Sequence, residues 1–320
     1  MDKTIGNGKN WLVTGSSGYI GKHLVQLLLS FGYPIIGLDL LQTTLGASNS
    51  DKFKFYHGDF TDEILIQKIF SENQIEGIFH LAAVKSVEES MLNPELYDRI
   101  NRLGAIKLLD TAIANGSDYY ILSSTAAVYG YSESGILSED SPIQPGSPYG
   151  ASKYAAELAL QKQVMLGKIK GVSLRYFNVL GAIEEKFRDS STSNIVPKVL
   201  EAIRQGTPPL IFGGDYETED GTAIRDYVHV CDVARAHYLT LEKLKLNDLP
   251  LALNIGTGNG YSVKQVISEI ISQSQSLITP RITNRRIGDV PKVIANVNLA
   301  KNVLGFESEF DLPEMIKSSL

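Results

Sequence analysis

The chain has a single cysteine, Cys231, among its 320 residues. An internal disulfide is therefore excluded, and the composition fits a reducing compartment. No apolar run approaches the roughly 20 residues needed to cross a bilayer. The opening stretch, Met1 to Gly8, lacks the apolar core of a secretion signal, so the expected location is the cytoplasm. Basic charge is also in short supply. Thirty Lys and Arg against 36 Asp and Glu leave a net charge of −6, which gives no footprint for nucleic acid or an anionic membrane. Internal repeats and low-complexity tracts are missing, and no metal site is expected. What remains, 43% hydrophobic and 21% charged residues, is the composition of a globular protein with chain enough for one large core or two modest ones.

The most informative segment present is Ser147-Pro148-Tyr149-Gly150-Ala151-Ser152-Lys153, followed by the strong helix formers Tyr154 to Leu160. Tyr149 and Lys153 are four apart and project from one helical face. A free phenol has a pKa of about 10 and is a poor base at neutral pH. An ammonium one turn away favours the phenolate, so the pair suits removal of a proton from an alcohol or sugar hydroxyl. Taken alone, the spacing is equally that of a solvated helix face.

Two further features bear on it. Asn10 to Thr14 is a short apolar run that ends in Gly15-Ser16-Ser17-Gly18-Tyr19-Ile20-Gly21 and leads into an apolar helical pattern. Strand, glycine turn and helix together cradle a pyrophosphate at a helix N-terminus. The next strand, Tyr33 to Leu38, ends in Asp39, whose carboxylate suits both ribose hydroxyls of an adenosine and repels a 2′-phosphate. The expected cofactor is NAD rather than NADP. The second feature is Ile121-Leu122-Ser123-Ser124-Thr125, an apolar strand that delivers hydroxyls at its C-terminal end. Ligands bind at that end in an open parallel sheet, which makes Thr125 a candidate to relay a proton to Tyr149, although Ser-Ser-Thr alone reads as a turn or helix cap.

Strands and helices alternate through the first half, which predicts a parallel sheet covered on both faces. Asp59, followed by Phe60, ends one strand as an adenine acceptor or a helix cap. Ile75 to Ala83 is another strand, running into small residues before Lys85. A helix is expected over roughly 95–115, with Asn101 on it as a candidate for the nicotinamide half. Val172 to Asn178 reads as a further strand. Gly181 to Asn194 is polar and helix-poor, so a surface loop or lid is expected, with Asn194 as the N-cap where order restarts. Beyond it the alternation weakens. The expected division is an NAD-binding unit over 1–180, with segments of about 225–258 returning to it, and a smaller substrate unit over 181–320.

With these residues assembled, the chain resembles the extended short-chain dehydrogenase/reductase superfamily and, within it, the UDP-glucose 4-epimerase family. The most specific block is Ile211-Phe212-Gly213-Gly214-Asp215-Tyr216 through Arg225-Asp226-Tyr227-Val228-His229-Val230. Leu174 to Asn178 and Arg285-Arg286-Ile287-Gly288-Asp289 add to it. The resemblance implies a Rossmann-type doubly wound α/β fold, tightly bound NAD, a UDP-hexose substrate, transient oxidation to a 4-ketose, and a homodimer joined through helices near 95–115 and 153–168. It implies that Tyr149 is the base, that Lys153 lowers its pKa and holds the nicotinamide ribose, and that Thr125 is the relay. The cofactor would lie against Gly15, Gly18, Tyr19, Ile20, Gly21, Asp39, Asp59, Phe60, Leu81, Ala82, Ala83, Lys85, Asn101, Ser123 and Tyr176. The substrate would meet Lys85, Asn178, Asn194, Arg225, Arg286 and Asp289, the arginines gripping the diphosphate.

Leu40 stands where the family usually carries an asparagine. Val293, two after Pro291, stands where relatives carry a large aromatic or a small residue, and it is expected to leave room for an N-acetyl group at carbon 2. Ala126 and Ala127 follow the relay threonine where a 4,6-dehydratase needs an acid–base pair, which argues against that chemistry. Another nucleotide-sugar epimerase and a non-catalytic NAD-binding regulator are the remaining alternatives.

Overall fold

A computed structural model of the chain describes residues 9–42, 51–191, 194–286 and 288–320. The readings of Met1 to Gly8 and of the loop after Asp39 over 43–50 lie outside those residues. The strands are β1 (Asn10–Thr14), β2 (Ile35–Asp39), β3 (Phe53–His57), β4 (Ile75–His80), β5 (Tyr119–Thr125), β6 (Ile136–Leu137), β7 (Lys170–Tyr176), β8 (Asn178–Leu180), β9 (Leu210–Phe212), β10 (Ile224–His229), β11 (Ala252–Ile255), β12 (Gly260–Ser262), β13 (Arg281–Thr283) and β14 (Lys292–Ala295). The helices are α1 (Tyr19–Ser30), α2 (Glu63–Glu72), α3 (Val87–Leu92), α4 (Pro94–Tyr97), α5 (Ala105–Ala114), α6 (Pro148–Met165), α7 (Ile195–Arg204), α8 (Val230–Leu246), α9 (Val263–Gln273), α10 (Asn298–Leu304) and α11 (Leu312–Ser319).

Seven strands form a sheet in the order β11-β7-β5-β4-β1-β2-β3, every pairing parallel. Strands covered on both faces read as continuous apolar runs. Here Trp11, Val13 and Phe79 pack on one face with Leu24 and Leu28 of α1 and Val233 and Leu241 of α8. Leu12, Ile36 and Ile78 pack on the other with Ile69 of α2, Leu108 of α5 and Leu160 of α6. The expected doubly wound α/β sheet is what forms.

A five-stranded sheet runs β12-β10-β14-β6, with β8 also pairing β10, and β13 pairs β9. Its core joins Val196, Ile211, Tyr227, Val266, Ile270, Met315 and Ile316. The chain's return to the large sheet differs from expectation. Residues 224–229 are β10 of the smaller sheet, and only α8 and β11 go back. Asp226 on β10 stitches the two regions. Its buried carboxylate accepts from Thr257 N, Thr257 Oγ1, Gly258 N and Ala295 N, at 2.8–3.1 Å.

Three local expectations change. The helix over 95–115 is interrupted by a π-helical turn, Asp98–Gly104, between α4 and α5. Asp59 bonds Thr61 N at 2.8 Å, and the cap of α2 is Asp62. Asn194 precedes α7 without a side-chain cap; its amide donates to Asp189 at 2.5 Å. The segment from Gly181 is also anchored rather than loose. Phe187 is buried within a short turn, Glu185–Phe187. Three successive backbone N–H groups, of Gly181, Ala182 and Ile183, donate to Ser319 Oγ, Ser318 Oγ and His23 Nε2.

Candidate active site

The glycine turn packs too tightly for any side chain. Gly15 has φ +73°, and a Cβ on Gly21 would stand 1.9 Å from the Gly15 carbonyl oxygen. This close packing lets α1 begin directly beneath the C-terminal end of β1. The carboxylate of Asp39 accepts from Ser17 N at 2.9 Å and from Leu41 N at 2.8 Å, so β2 delivers the acid to the rim of the turn. Ser16 and Ser17 hydroxyls there are buried without a protein partner. Close-packed glycines, a helix N-terminus and an acid at the second strand end fit an adenine dinucleotide.

Thr14 and His80 meet across β1 and β4, Oγ1 to Nδ1 at 2.7 Å, and Phe60 lies edge-on to His80 at 4.9 Å. Leu81, Ala82 and Ala83 follow β4 as half-buried backbone, and Lys85 is exposed. Asn101 does not face outward. Its side chain accepts from Val84 N at 3.0 Å and donates to Val84 O and Ser152 Oγ at 2.9 and 3.2 Å. Both amide protons are spent on ordering the Ala83–Lys85 segment against α6, so they are not free for a ligand. Tyr19 is similar: its hydroxyl donates to Gly181 O at 2.5 Å, leaving only its backbone beside Gly18 and Ile20 at the helix start. The Tyr176 hydroxyl bonds His237 Nε2 at 2.5 Å within the core beneath α8. Only its main chain lies at the strand end.

Tyr149 and Lys153 stand on α6, whose start is pressed against the turn after β5. A Cβ on Gly150 would be 2.2 Å from Ala127 O, so glycine permits that approach. Ser147 caps the helix through Gly150 N. Thr125 ends β5 close to Tyr149, its hydroxyl oxygen accepting from Ala127 N at 3.1 Å, and Tyr97 meets the Tyr149 ring edge-on at 6.2 Å. The expected lowering of the phenol by Lys153 does not dominate. Burial pushes Tyr149 above its ordinary value, and the nearby Thr125 hydroxyl only partly offsets this. Burial likewise pushes Lys153 down to about 8, against the pull of Glu157. At neutral pH the resting pair is a phenol beside an ammonium.

Of the substrate candidates, Asn178, Arg225, Arg286 and Asp289 lie on or beside the smaller sheets, whereas Lys85 follows β4 and Asn194 precedes α7. Asn178 is exposed at the start of β8, beside Tyr227 of β10. Arg225 donates to Val290 O at 2.9 Å and pairs with Asp289 at 3.3 Å. Arg286 lies 4.0 Å over the Phe212 ring and 3.8 Å from Glu88 of α3. Asp289, the partner of Arg225, also donates its N–H to Arg286 O at 3.2 Å, so the two arginines stand near one another. Val293 is the register partner of Arg225 and packs, half-buried, against the cluster of Val128, Tyr129, Leu137, Phe177 and Ala295. A pocket open to solvent lies between the two regions, lined by Tyr19, Gly181, Arg188, Asp189, Asn194 and Ser319. It includes none of Thr125, Tyr149 or Lys153.

Sequence reasoning passed over Phe212, His80, Glu157 and Arg175. Glu157 carried a usable signal: it lies four beyond Lys153 and eight beyond Tyr149, a carboxylate on their own helical face.

The sequence profile of the NAD dependent epimerase/dehydratase family matches residues 11–256. The chain belongs to this family. Among members, the UDP-glucose 4-epimerase of Halalkalibacterium halodurans is 39% identical over 93% of the chain and 90% of its own length. The UDP-glucose 4-epimerase of Brucella ovis, solved in complex with NAD, is 33% identical, covers 97% of both chains and superimposes with a TM-score of 0.90. The UDP-Glc/GlcNAc 4-epimerase of Campylobacter jejuni is also 33% identical over 98% of this chain and 98% of its own, with a TM-score of 0.84. This member of the NAD dependent epimerase/dehydratase family keeps threonine, tyrosine and lysine at positions 125, 149 and 153.

Proposed function

We propose that the protein interconverts UDP-glucose and UDP-galactose by epimerisation at carbon 4, with a NAD that stays bound between turnovers. The observation that carries this reading is that Thr125 ends β5 where the start of α6 is pressed against it, with Tyr149 and buried Lys153 one helical turn apart on that helix, at the C-terminal end of a dinucleotide-type sheet. The large sheet is the cofactor unit and the smaller sheets are the nucleotide-sugar unit. The cofactor supplies the acceptor and donor of a hydride at carbon 4. Tyr149 takes the proton of the 4-hydroxyl through Thr125 as the carbon–hydrogen electron pair departs, which leaves a 4-ketose. Lys153 favours the phenolate that this step requires. Arg225 and Arg286 hold the diphosphate through paired N–H bonds, with the Phe212 ring face beside them suited to a flat base. Anchoring remote from carbon 4 lets the ketose turn over without leaving, so its opposite face is reduced and Tyr149 returns the proton.

The test is incubation of the purified protein with UDP-galactose and no added cofactor, following UDP-glucose by chromatography. Conversion supports both the reaction and a retained NAD. Failure even with added NAD overturns the substrate assignment.

Val293 favours a second reading, activity on N-acetylated sugars. The side chain there is aliphatic, half-buried against the cluster that holds Phe177, and smaller than the large aromatic that would fill room for a substituent at carbon 2. UDP-GalNAc turnover below a thousandth of that with UDP-galactose would sink it. The same proposal holds that the protein is a cytoplasmic homodimer joined through α5 and α6 and their neighbours. Leu103, Leu158, Met165 and Leu166 stand exposed there in support, and sedimentation as a monomer would refute the dimer.

A further inference from the structure

A buried ion pair lies within the framework that carries the catalytic candidates, and no step above uses it. Glu157 and Arg175 have side chains 0% and 4% exposed and meet at 2.6 Å through Nη2, with Nε at 3.1 and 3.2 Å from the two carboxylate oxygens. Ser124 donates to the same carboxylate. Arg175 Nη1 reaches the Tyr129 hydroxyl at 2.9 Å, and that hydroxyl donates to Asn254 at 2.6 Å. Each member adjoins a residue of the site: Ser124 precedes Thr125, Arg175 precedes Tyr176, and Glu157 is one turn beyond Lys153. A buried pair of this kind is rarely kept for stability, because apolar residues of equal volume do as well.

We propose that Glu157 is a positioning residue of the active site: its carboxylate, fixed by Arg175 and Ser124, supplies the counter-charge that keeps the Lys153 ammonium in place beside Tyr149. The groups around Lys153 leave that role to Glu157. On α6 itself the others are Tyr149, half-buried Tyr154 and exposed Lys162. From β4 comes His80, which Lys153 holds in its neutral form together with burial. From β7 come Arg175, already bound to Glu157, and the phenol of Tyr176. From α3 and α4, Glu89 is taken by the Tyr97 hydroxyl at 3.0 Å, and in the π turn Asp98 is taken by Arg102. Glu157 is the acid whose pull on Lys153 opposes the effect of burial.

The inference rests on the epimerase reading, so its test has one arm that needs no turnover. Two variants are compared, Glu157→Gln, which leaves Arg175 unpaired, and the double replacement Glu157→Gln with Arg175→Met, which removes both charges and spares the fold an orphaned cation. In the activity arm, kcat with UDP-galactose is expected to fall at least tenfold in both. Its alkaline limb, set by Lys153 near pH 8, should move down by about one pH unit, with KM within twofold. In the other arm, urea unfolding is followed against pH with and without Lys153→Met. Lys153 is held below its unfolded value, so it adds stability as pH rises from about 8 to 10.5. In the double variant that rise should begin about one unit lower. A double variant that regains wild-type kcat and limb, or a rise that still begins at pH 8, overturns the proposal. A shifted rise in a protein inactive on UDP-galactose sinks the substrate assignment alone.

Discussion

The two regions of the molecule assemble their strands by different rules. In the seven-stranded sheet three of the six pairings, β1-β2, β4-β5 and β5-β7, join strands that follow one another through a helix, as in β1-α1-β2. The strands carry apolar runs because both faces are covered. In the smaller region β10 takes partners from 178–180, 260–262 and 292–295, and β6 arrives from 136–137. Local pattern decides the first region, whereas long-range contacts and a few fixed polar groups decide the second. The chemistry proposed above divides along the same line, with proton transfer assigned to the large sheet and the diphosphate grip to the smaller ones.

The sharpest way to break this division is Tyr149→Phe. Epimerisation should fall about a thousandfold or more, while the NAD content of the purified protein, read by absorbance after denaturation, stays unchanged. Surviving activity removes Tyr149 from the site. Next in size, Asp226→Ala leaves four donors around β10 without their acceptor and should cost about 3 kcal/mol in urea unfolding. Leu253→Ala, in the large core, should cost a similar ~3 kcal/mol. One shared transition for both variants means that the regions unfold together; separate transitions would split them.

Arg286→Ala comes third. It should lower kcat/KM by roughly 10- to 100-fold through KM, the worth of a charged hydrogen bond to phosphate, and leave the unfolding midpoint in place. A fall confined to kcat would refute a purely anchoring role. The smallest effect is graded. His23, His229 and His237 are held neutral by burial to about pH 4, and His80 to about 3. The unfolded rings bind protons from about pH 6.5, so the unfolded chain takes up more protons and stability is lost as pH falls from 6.5 towards 4. His23→Gln, at the joint between the regions, should flatten that slope by up to one proton. An unchanged slope would show that His23 titrates normally.

The alternation of β1 to β5 with helices, the glycine turn, Asp39 and the Tyr149–Lys153 pair were legible because each is a local pattern with one structural meaning. Other features depend on contacts made at a distance. Asn101 reads as a helix residue, yet the π turn aims it at Val84. Tyr176 ends a strand beside the site, yet its hydroxyl goes to His237. Asp226 looks like any acid until Thr257, Gly258 and Ala295 converge on it. The direction of the Tyr149 shift also needed the fold, since spacing reveals the nearby charge and not the depth of burial.

The large sheet is closed at one side by β11, residues 252–255, which pairs with β7 along 173–176. On a ribosome, the cofactor-type half emerges some eighty residues before this strand. Throughout that interval the outer edge of β7 offers unpaired N–H and C=O groups beside an apolar face, the arrangement that recruits foreign strands. Synthesis of this protein therefore includes a stretch in which its first half is fully translated but not yet safe from aggregation, and chains that stop before Ala252 should be the ones that precipitate.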